Sequence, residues 1–330
     1  MKSKAARRRK ILKVLRPYRP FLWLVLAISI PFLDSNPYHI DVMASAGIFV
    51  LLALGLNVIV GYAGILNLGF AAFFAVGAYA YALLNLHWNI PFWPGLIFSA
   101  FTGSLFGVLL ATPAIRLSGD YLAIVTLGAG EIVRIALNNL DPLTGGPNGL
   151  LGIDHPTLPF MAYDFGVNSE PYYFLTLALI TVVIFFMRRI ENSRLGRAWG
   201  ALREDELVAG FMGIDPIWAK LSAFALGGFV AGLAGSLFAA KQGSVSPDSF
   251  DFILSVMVLA MVVLGGLGNI YGVILGAVLL SILPEFLRGF EIYRMLLFGL
   301  SMILVMLFRP QGLLGDLYQS GEFSTRGGKQ

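Results

Sequence analysis

The chain has 330 residues, 57% of them hydrophobic and 13% charged, with a formal net charge of +4 and no cysteine. Soluble domains average roughly 45–50% apolar and about 25% charged residues, so the composition excludes a disordered or coiled-coil chain and weighs against a soluble globular one. The missing cysteines exclude disulfides, iron–sulfur clusters and cysteine-bound zinc.

Residues 1–20 carry nine Lys and Arg and read as a basic cytoplasmic tail. The apolar run 21–33 that follows has no small-x-small cleavage site behind it, so it reads as an uncleaved first helix. Further apolar runs lie at 42–60, 62–84, 92–112, 121–139, 171–188, 219–240, 250–265, 270–285 and 293–308, ten in all. A spanning helix needs about 20 residues. The reading is therefore an all-α polytopic membrane protein of about ten transmembrane helices. Its spanning domain is 21–308, its cytoplasmic loop 188–220, and its cytoplasmic C-terminal tail 309–330.

Charge supports the even count. With both termini on the cytoplasmic side, nineteen of the 23 Lys and Arg residues fall inside, and the stretch 140–171 has four acids and no Lys or Arg. This is the positive-inside pattern. Basic residues beside apolar runs make nucleic acid the weaker explanation of the net charge. His39, His87 and His155 fall in separate polar gaps, so no metal site is expected.

Many of the 38 glycines lie inside apolar runs, among them Gly55, Gly61, Gly64, Gly69 and Gly77, then Gly227, Gly228, Gly232, Gly235, Gly265, Gly266, Gly268, Gly272 and Gly276. Small residues allow close helix packing in lipid. They also suit broken helices lining a path in transporters built from two inverted halves. An inverted repeat of spans 2–5 and 7–10 is topologically allowed, although the halves have no clear sequence match.

Ionisable residues are scarce within the spans. Glu131 and Arg134 stand at i and i+3 on one helix face. Glu131 sits about 15 Å from Tyr121 at ~1.5 Å per residue, near the middle of a bilayer. The pair either locks helix packing or lines a translocation path, with Thr126 and Asn138 on the same segment as further path candidates. Asn57, Asn67, Thr126, Asn138 and Ser255 read first as interhelical glue. Gly145, Gly146, Pro147 and Asn148 are turn chemistry first and an outer loop or gate second.

The loop 188–220 holds a short amphipathic helix. Leu207, Val208, Phe211 and Met212 fall on one face, Gly213 suits its stop, and Asp215–Pro216 read as the N-cap and first position of the next span. Arg203, Asp205 and Glu206 lie away from the apolar face. The consecutive acids Glu204, Asp205 and Glu206 would be repelled by anionic lipid, which favours a protein partner over the membrane surface.

The segment GRAWGALREDELVAGFMGI resembles the coupling-helix region of ATP-binding-cassette import permeases of the branched-chain amino acid type. GYAGILNLGFAAFFAVGAYAYALL, RLSGDYLAIVTLGAGEIVRIALNN with LTGGPNGL, the stretch 238–280, and YRMLLFGLSMILVMLFRPQGL agree in order, covering about residues 40–315. The match is to the M-type of the two permease subunits, with ALREDE standing where the general importer motif opens on a different acidic context. The resemblance implies an inner-membrane permease forming half of a translocation path for branched-chain or other hydrophobic amino acids. Its coupling residues would be Arg203, Glu204, Asp205, Glu206, Leu207, Val208, Phe211, Met212 and Gly213. The implied partners are two ATPase subunits, a second homologous permease and an external amino-acid-binding protein. The chain has no GxxxxGK[ST] loop, so it is not expected to be an enzyme, and ATP and Mg²⁺ belong to the partner ATPases. The alternatives are a urea or short-chain amide permease of the same class and an ion-gradient-driven secondary transporter. The scarcity of intramembrane acids and histidines argues against the last.

Overall fold

The computed structural model describes residues 36–114, 117, 119–157, 165–166 and 169–286, with isolated residues at 28–29, 31, 296, 299–300, 303, 307 and 312–313. The predicted first run 21–33 and last run 293–308 therefore lie almost wholly outside the described residues, as do both tails. The other eight apolar runs are helical. They are α1 (Pro37–Asn57), α2 (Phe70–Trp88), α3 (Phe92–Ala114), α4 (Asp120–Asn139), α5 (Glu170–Glu191), α8 (Pro216–Gln242), α9 (Phe252–Gly265) and α10 (Ile270–Phe286), with α6 (Arg194–Glu204) and α7 (Glu206–Phe211) between α5 and α8. Among the described residues seven helices are long and apolar enough to cross a membrane, and Ile270–Glu285 is a shorter apolar helix. The protein is an all-α polytopic membrane protein whose β structure, among the described residues, is one two-residue antiparallel ladder, β1 (Leu150–Leu151) with β2 (Ser244–Val245).

Local chemistry sets the ends. Asn36 caps α1, its carboxamide oxygen accepting from Tyr38 N at 3.1 Å, with Pro37 in the first turn. Asp215 caps α8 through Ile217 N and Trp218 N, as its Asp-Pro pair predicts. Asp251 caps α9 through Leu254 N.

α8 is the central helix, packed on α3, α2 and α1. Its glycines are the reason. A Cβ on Gly77 of α2 would lie 2.8 Å from the Gly232 carbonyl oxygen, and one on Gly103 of α3 would lie 3.0 Å from Gly232 Cα. Lipid offers no hydrophobic force between helices, so this close backbone contact supplies the association by dispersion. The α8 glycine stripe is taken up by packing inside the subunit.

One boundary differs from the sequence reading. The run 62–84 does not begin as a helix. α1 continues through a π-helical turn, Val58–Tyr62, and residues 63–69 are non-helical before α2 starts at Phe70. Residues 243–251 separate α8 from α9 with β2 and a single 3₁₀ turn, Pro247–Phe250, where the sequence reading also leaves a gap between its runs 219–240 and 250–265. At 63–69 the apolar run gives no sign that its first residues are not helical.

Placing a β-branched side chain between the central backbones is overpacking, with a cost of about 1–3 kcal/mol or more. Gly232→Val is expected to lower the thermal-aggregation midpoint of the detergent-solubilised protein, whereas Gly200→Ala, with nothing within 4 Å of the added Cβ, is expected to leave it unchanged or raise it.

Candidate functional site

The loop between α5 and α8 contains two helices where the sequence suggested one. Ser193 caps α6, and Asp205, in extended conformation, ends α6 and caps α7 by accepting from Leu207 N and Val208 N at 2.8 and 3.0 Å. The chain leaves α7 through Gly213 at φ +81°. The result is an exposed apolar surface. Phe211 is 89% exposed, Met212 79%, Leu207 76% and Val208 55%, and Ile217 and Trp218 at the start of α8 extend it at 51% and 71%.

The acids of this loop have separate jobs. Asp205 is a cap. Glu206 pairs with the Lys220 ammonium at 2.6 Å, and that lysine is buried. Glu204 is exposed. Helix-capping geometry and a buried cation thus give two of the three acids structural partners within the loop. Arg203 is exposed as a whole but reaches back to the bundle, its Nη1 donating to the Gly61 carbonyl at 2.7 Å. Trp199, which sequence reasoning passed over, is fully buried; its indole donates to Ala219 O and Ser222 Oγ and stacks on Tyr62 at 6.4 Å.

A second site lies where the first turns of α2 and α9 meet the middle of α4. Leu68, Gly69, Ala71, Ala72, Leu127, Gly130, Glu131, Phe250, Asp251, Phe252 and Ser255 line a small open cleft there. Ala71 N donates to Ser255 Oγ at 2.9 Å, and Leu68 N to Thr126 Oγ1 at 3.1 Å. Glu131 accepts from Arg134 Nε at 2.9 Å, and Arg134 Nη1 approaches Asp248 at 3.9 Å. The Glu131 and Arg134 side chains are 37% and 31% exposed. Of the four predicted path residues, Glu131 lines the cleft and Arg134 is bonded to it. Thr126 is buried as a bond between α4 and the 63–69 segment, and Asn138 is half-buried beside the outer turn.

α4 differs from the other spans. Only 17% of it is buried, against 72% for α1 and 78% for α8. The exposed faces of α3 (Ile97, Phe98, Phe101, Leu105, Leu109) and α5 (Val182, Phe185, Phe186) are apolar. That of α4 combines Ile124, Ile132 and Ile135 with the Glu131–Arg134 pair.

At the opposite end, Thr144 donates to Leu137 O and Leu140 O, and Gly145 and Gly146 take positive φ in the following turns. Pro147 and Asn148 are exposed at the tip. Behind them the chain is stitched down: Asp154 N donates to Asn85 Oδ1 at 2.8 Å, Tyr81 to Asp154 O at 2.8 Å, and His155 Nδ1 lies 2.7 Å from Tyr172 Oη. Lys241, near the end of α8, pairs with Asp41 at 2.9 Å. The described residues contain no cluster able to hold a metal ion.

Comparison with known proteins gives a consistent result. The family described as branched-chain amino acid transport system, permease component, matches residues 38–306. The high-affinity branched-chain amino acid transport system permease protein LivM of Salmonella typhimurium is 45% identical over 311 residues, 88% of this chain and 73% of that protein. LivM of Escherichia coli shows the same identity and coverage. A second type of permease, LivH of Escherichia coli, is 26% identical over 288 residues, 81% of this chain and 91% of its own. No solved structure matches the chain.

Removing one partner of a buried ion pair leaves the other charge uncompensated. Glu206→Ala is expected to destabilise the solubilised protein by about 1 kcal/mol or more, since Glu206 is itself partly exposed. Glu204→Ala is expected to change stability little. Thermal melts of both variants and of Glu206→Ala combined with Lys220→Met measure the difference, and the double variant is expected to recover part of the loss.

Proposed function

The chain belongs to the family of permease components of branched-chain amino acid transport systems, and on that premise we propose how it serves import. It is a non-catalytic inner-membrane subunit of an ATP-driven importer for branched-chain amino acids. It forms half of the translocation path and takes its energy from ATPases in separate chains. Two ATPase subunits, a second homologous permease and an external binding protein complete the assembly. The observation that carries the coupling is the apolar surface of Leu207, Val208, Phe211, Met212, Ile217 and Trp218, left open on a loop otherwise rich in Arg and Lys. An exposed apolar helix face rimmed by charge is what a groove on a partner recognises. With this loop cytoplasmic, Arg188, Arg189, Arg194, Arg197, Arg203 and Lys220 all lie on the positive side.

The path runs along α4. A charged side chain facing lipid near mid-bilayer costs at least ~2.5 kcal/mol, so the part-exposed Glu131–Arg134 pair belongs against water or protein. A second permease laid against α4 encloses both the pair and the cleft. The starts of α2 and α9 flank that cleft, the arrangement of discontinuous helices at transporter sites. Pro147 and Asn148 are placed to meet the binding protein or gate the outer mouth. Ten spans, with 21–33 and 293–308 as the first and last and both tails cytoplasmic, keep the charge pattern. An inverted repeat is supported by the likeness of two units. Each is a helix of 26 or 27 residues, Pro37–Tyr62 and Pro216–Gln242, then an irregular segment, then a helix starting beside α4.

Three variants test this reading in the assembled importer. Phe211→Asp with Met212→Asp is expected to lose the ATPases from the purified complex, each change costing about 2 kcal/mol or roughly 30-fold in affinity. Recovery of the ATPases at normal stoichiometry would remove the docking assignment. Glu131→Ala is expected to keep the ATPases and lose uptake, and unchanged uptake would take the path away from α4. Because the chain has no cysteine, Ile132→Cys is expected to cross-link to a cysteine on the second permease in membranes, while Phe101→Cys on the lipid-facing α3 is not.

A further inference from the structure

We propose that Arg203 is the strut that carries movement of the docking loop to the intramembrane cleft, an inference that rests on the docking reading above. Three elements meet at this one side chain. Its Nη1 donates to the Gly61 carbonyl at the π-helical end of α1, 2.7 Å away. Its stem lies over Gly64, where an added Cβ would come 2.8 Å from Arg203 Cγ and 3.1 Å from its Cα. Its guanidinium sits against Gly268 in the turn between α9 and α10, where an added Cβ would come 3.2 Å from Nη1. Gly64 and Gly268 have φ of +71° and +81°, so each is open to glycine for two reasons, conformation and space. Asn57 closes the junction from below by accepting from Gly268 N at 2.9 Å.

Each of the two elements that Arg203 touches runs to the cleft. From Gly61 the chain passes through non-helical residues 63–69 to Leu68 and Gly69, which line the cleft, and Leu68 N donates to Thr126 Oγ1 on α4. From Gly268 the chain lies one turn beyond α9, whose other end, Phe252 and Ser255, lines the cleft's far wall. Arg203 itself is in the last turn of α6, two residues before the Asp205 cap of α7, and α6 is fixed to α8 by Trp199. A displacement of the apolar docking surface therefore reaches the near ends of both cleft walls through one guanidinium. Packed elements of this kind shift between discrete arrangements instead of deforming smoothly. Arg203 thus acts as a positioning residue facing inward, while the ATPases meet Leu207, Phe211, Met212 and Trp218.

The test uses the complete importer, reconstituted in liposomes with its binding protein and supplied with labelled leucine. ATPase stoichiometry, ATP hydrolysis and uptake per ATP are read separately. Arg203→Ala is expected to retain the ATPases and hydrolysis while uptake per ATP falls about tenfold, a coupling of ordinary size. Arg203→Lys, which keeps the charge and a stem able to reach the Gly61 carbonyl, is expected to recover part of the loss. Gly64→Ala, which pushes on the stem from the other element, is expected to lower uptake per ATP without loss of ATPases. Normal uptake per ATP in Arg203→Ala overturns the proposal, and so does loss of the ATPases from that variant, which would make Arg203 a docking residue. If Arg203→Ala does not insert, Arg203→Lys and Gly64→Ala decide, and normal coupling in Gly64→Ala overturns it. Failure of the docking reading shows in a different variant, as ATPases retained by Phe211→Asp with Met212→Asp.

Discussion

Backbone amides inside a bilayer must find partners within the protein, because no water is there to take them. Two segments strain that constraint, 63–69 and 243–251, and the rest of the architecture depends on how they are satisfied. Polar side chains serve as their caps, Asn67, Thr126 and Ser255 buried and Asp251 half-buried. Asn67 accepts from Gly69 N, Thr126 from Leu68 N, Ser255 from Ala71 N and Asp251 from Leu254 N. Three of them, Asn67, Thr126 and Ser255, read as interhelical glue in the sequence, and they hold the start of α2 beside α4 and α9. The cleft lies where α2 and α9 begin.

Close packing and open surface divide the spans between them. The glycines of α8 let three neighbours approach its backbone and make the centre of the subunit rigid. α4 takes almost no part in that packing and carries the charged pair. A rigid centre with one under-packed, polar span at its edge is the form suited to a subunit whose path is completed by another chain. The apolar faces of α3 and α5 have the opposite character and suit lipid.

At the loop end the same logic separates roles within a few residues. Trp199 and Arg203 point inward and bind α6 to the bundle, Asp205 and Glu206 fix α7 by a cap and a buried pair, and Leu207, Phe211, Met212 and Trp218 are left outside. Holding the exposed apolar residues on a body so firmly attached means that force applied to them is not lost in a flexible loop.

Much of this was legible in one dimension. Hydrophobic run length and basic-residue placement located eight described helices and the polar loop, because bilayer thickness and electrostatics act on local composition. The caps Asp215 and Pro216, the stop at Gly213 and the apolar face of 207–212 were readable, because helix ends and amphipathic faces are set by neighbours a few residues apart. Family membership was readable from ordered motifs. The late start of α2 was not, since an apolar run looks continuous whether or not its backbone is helical. Nor were the separate duties of Glu204, Asp205 and Glu206, or the inward course of Arg203. Those were decided only by the tertiary structure, because they rest on partners 142 residues away for Arg203 and Gly61 and 211 for Asn57 and Gly268, and a single hydrogen bond between such distant positions leaves no period or spacing in the sequence.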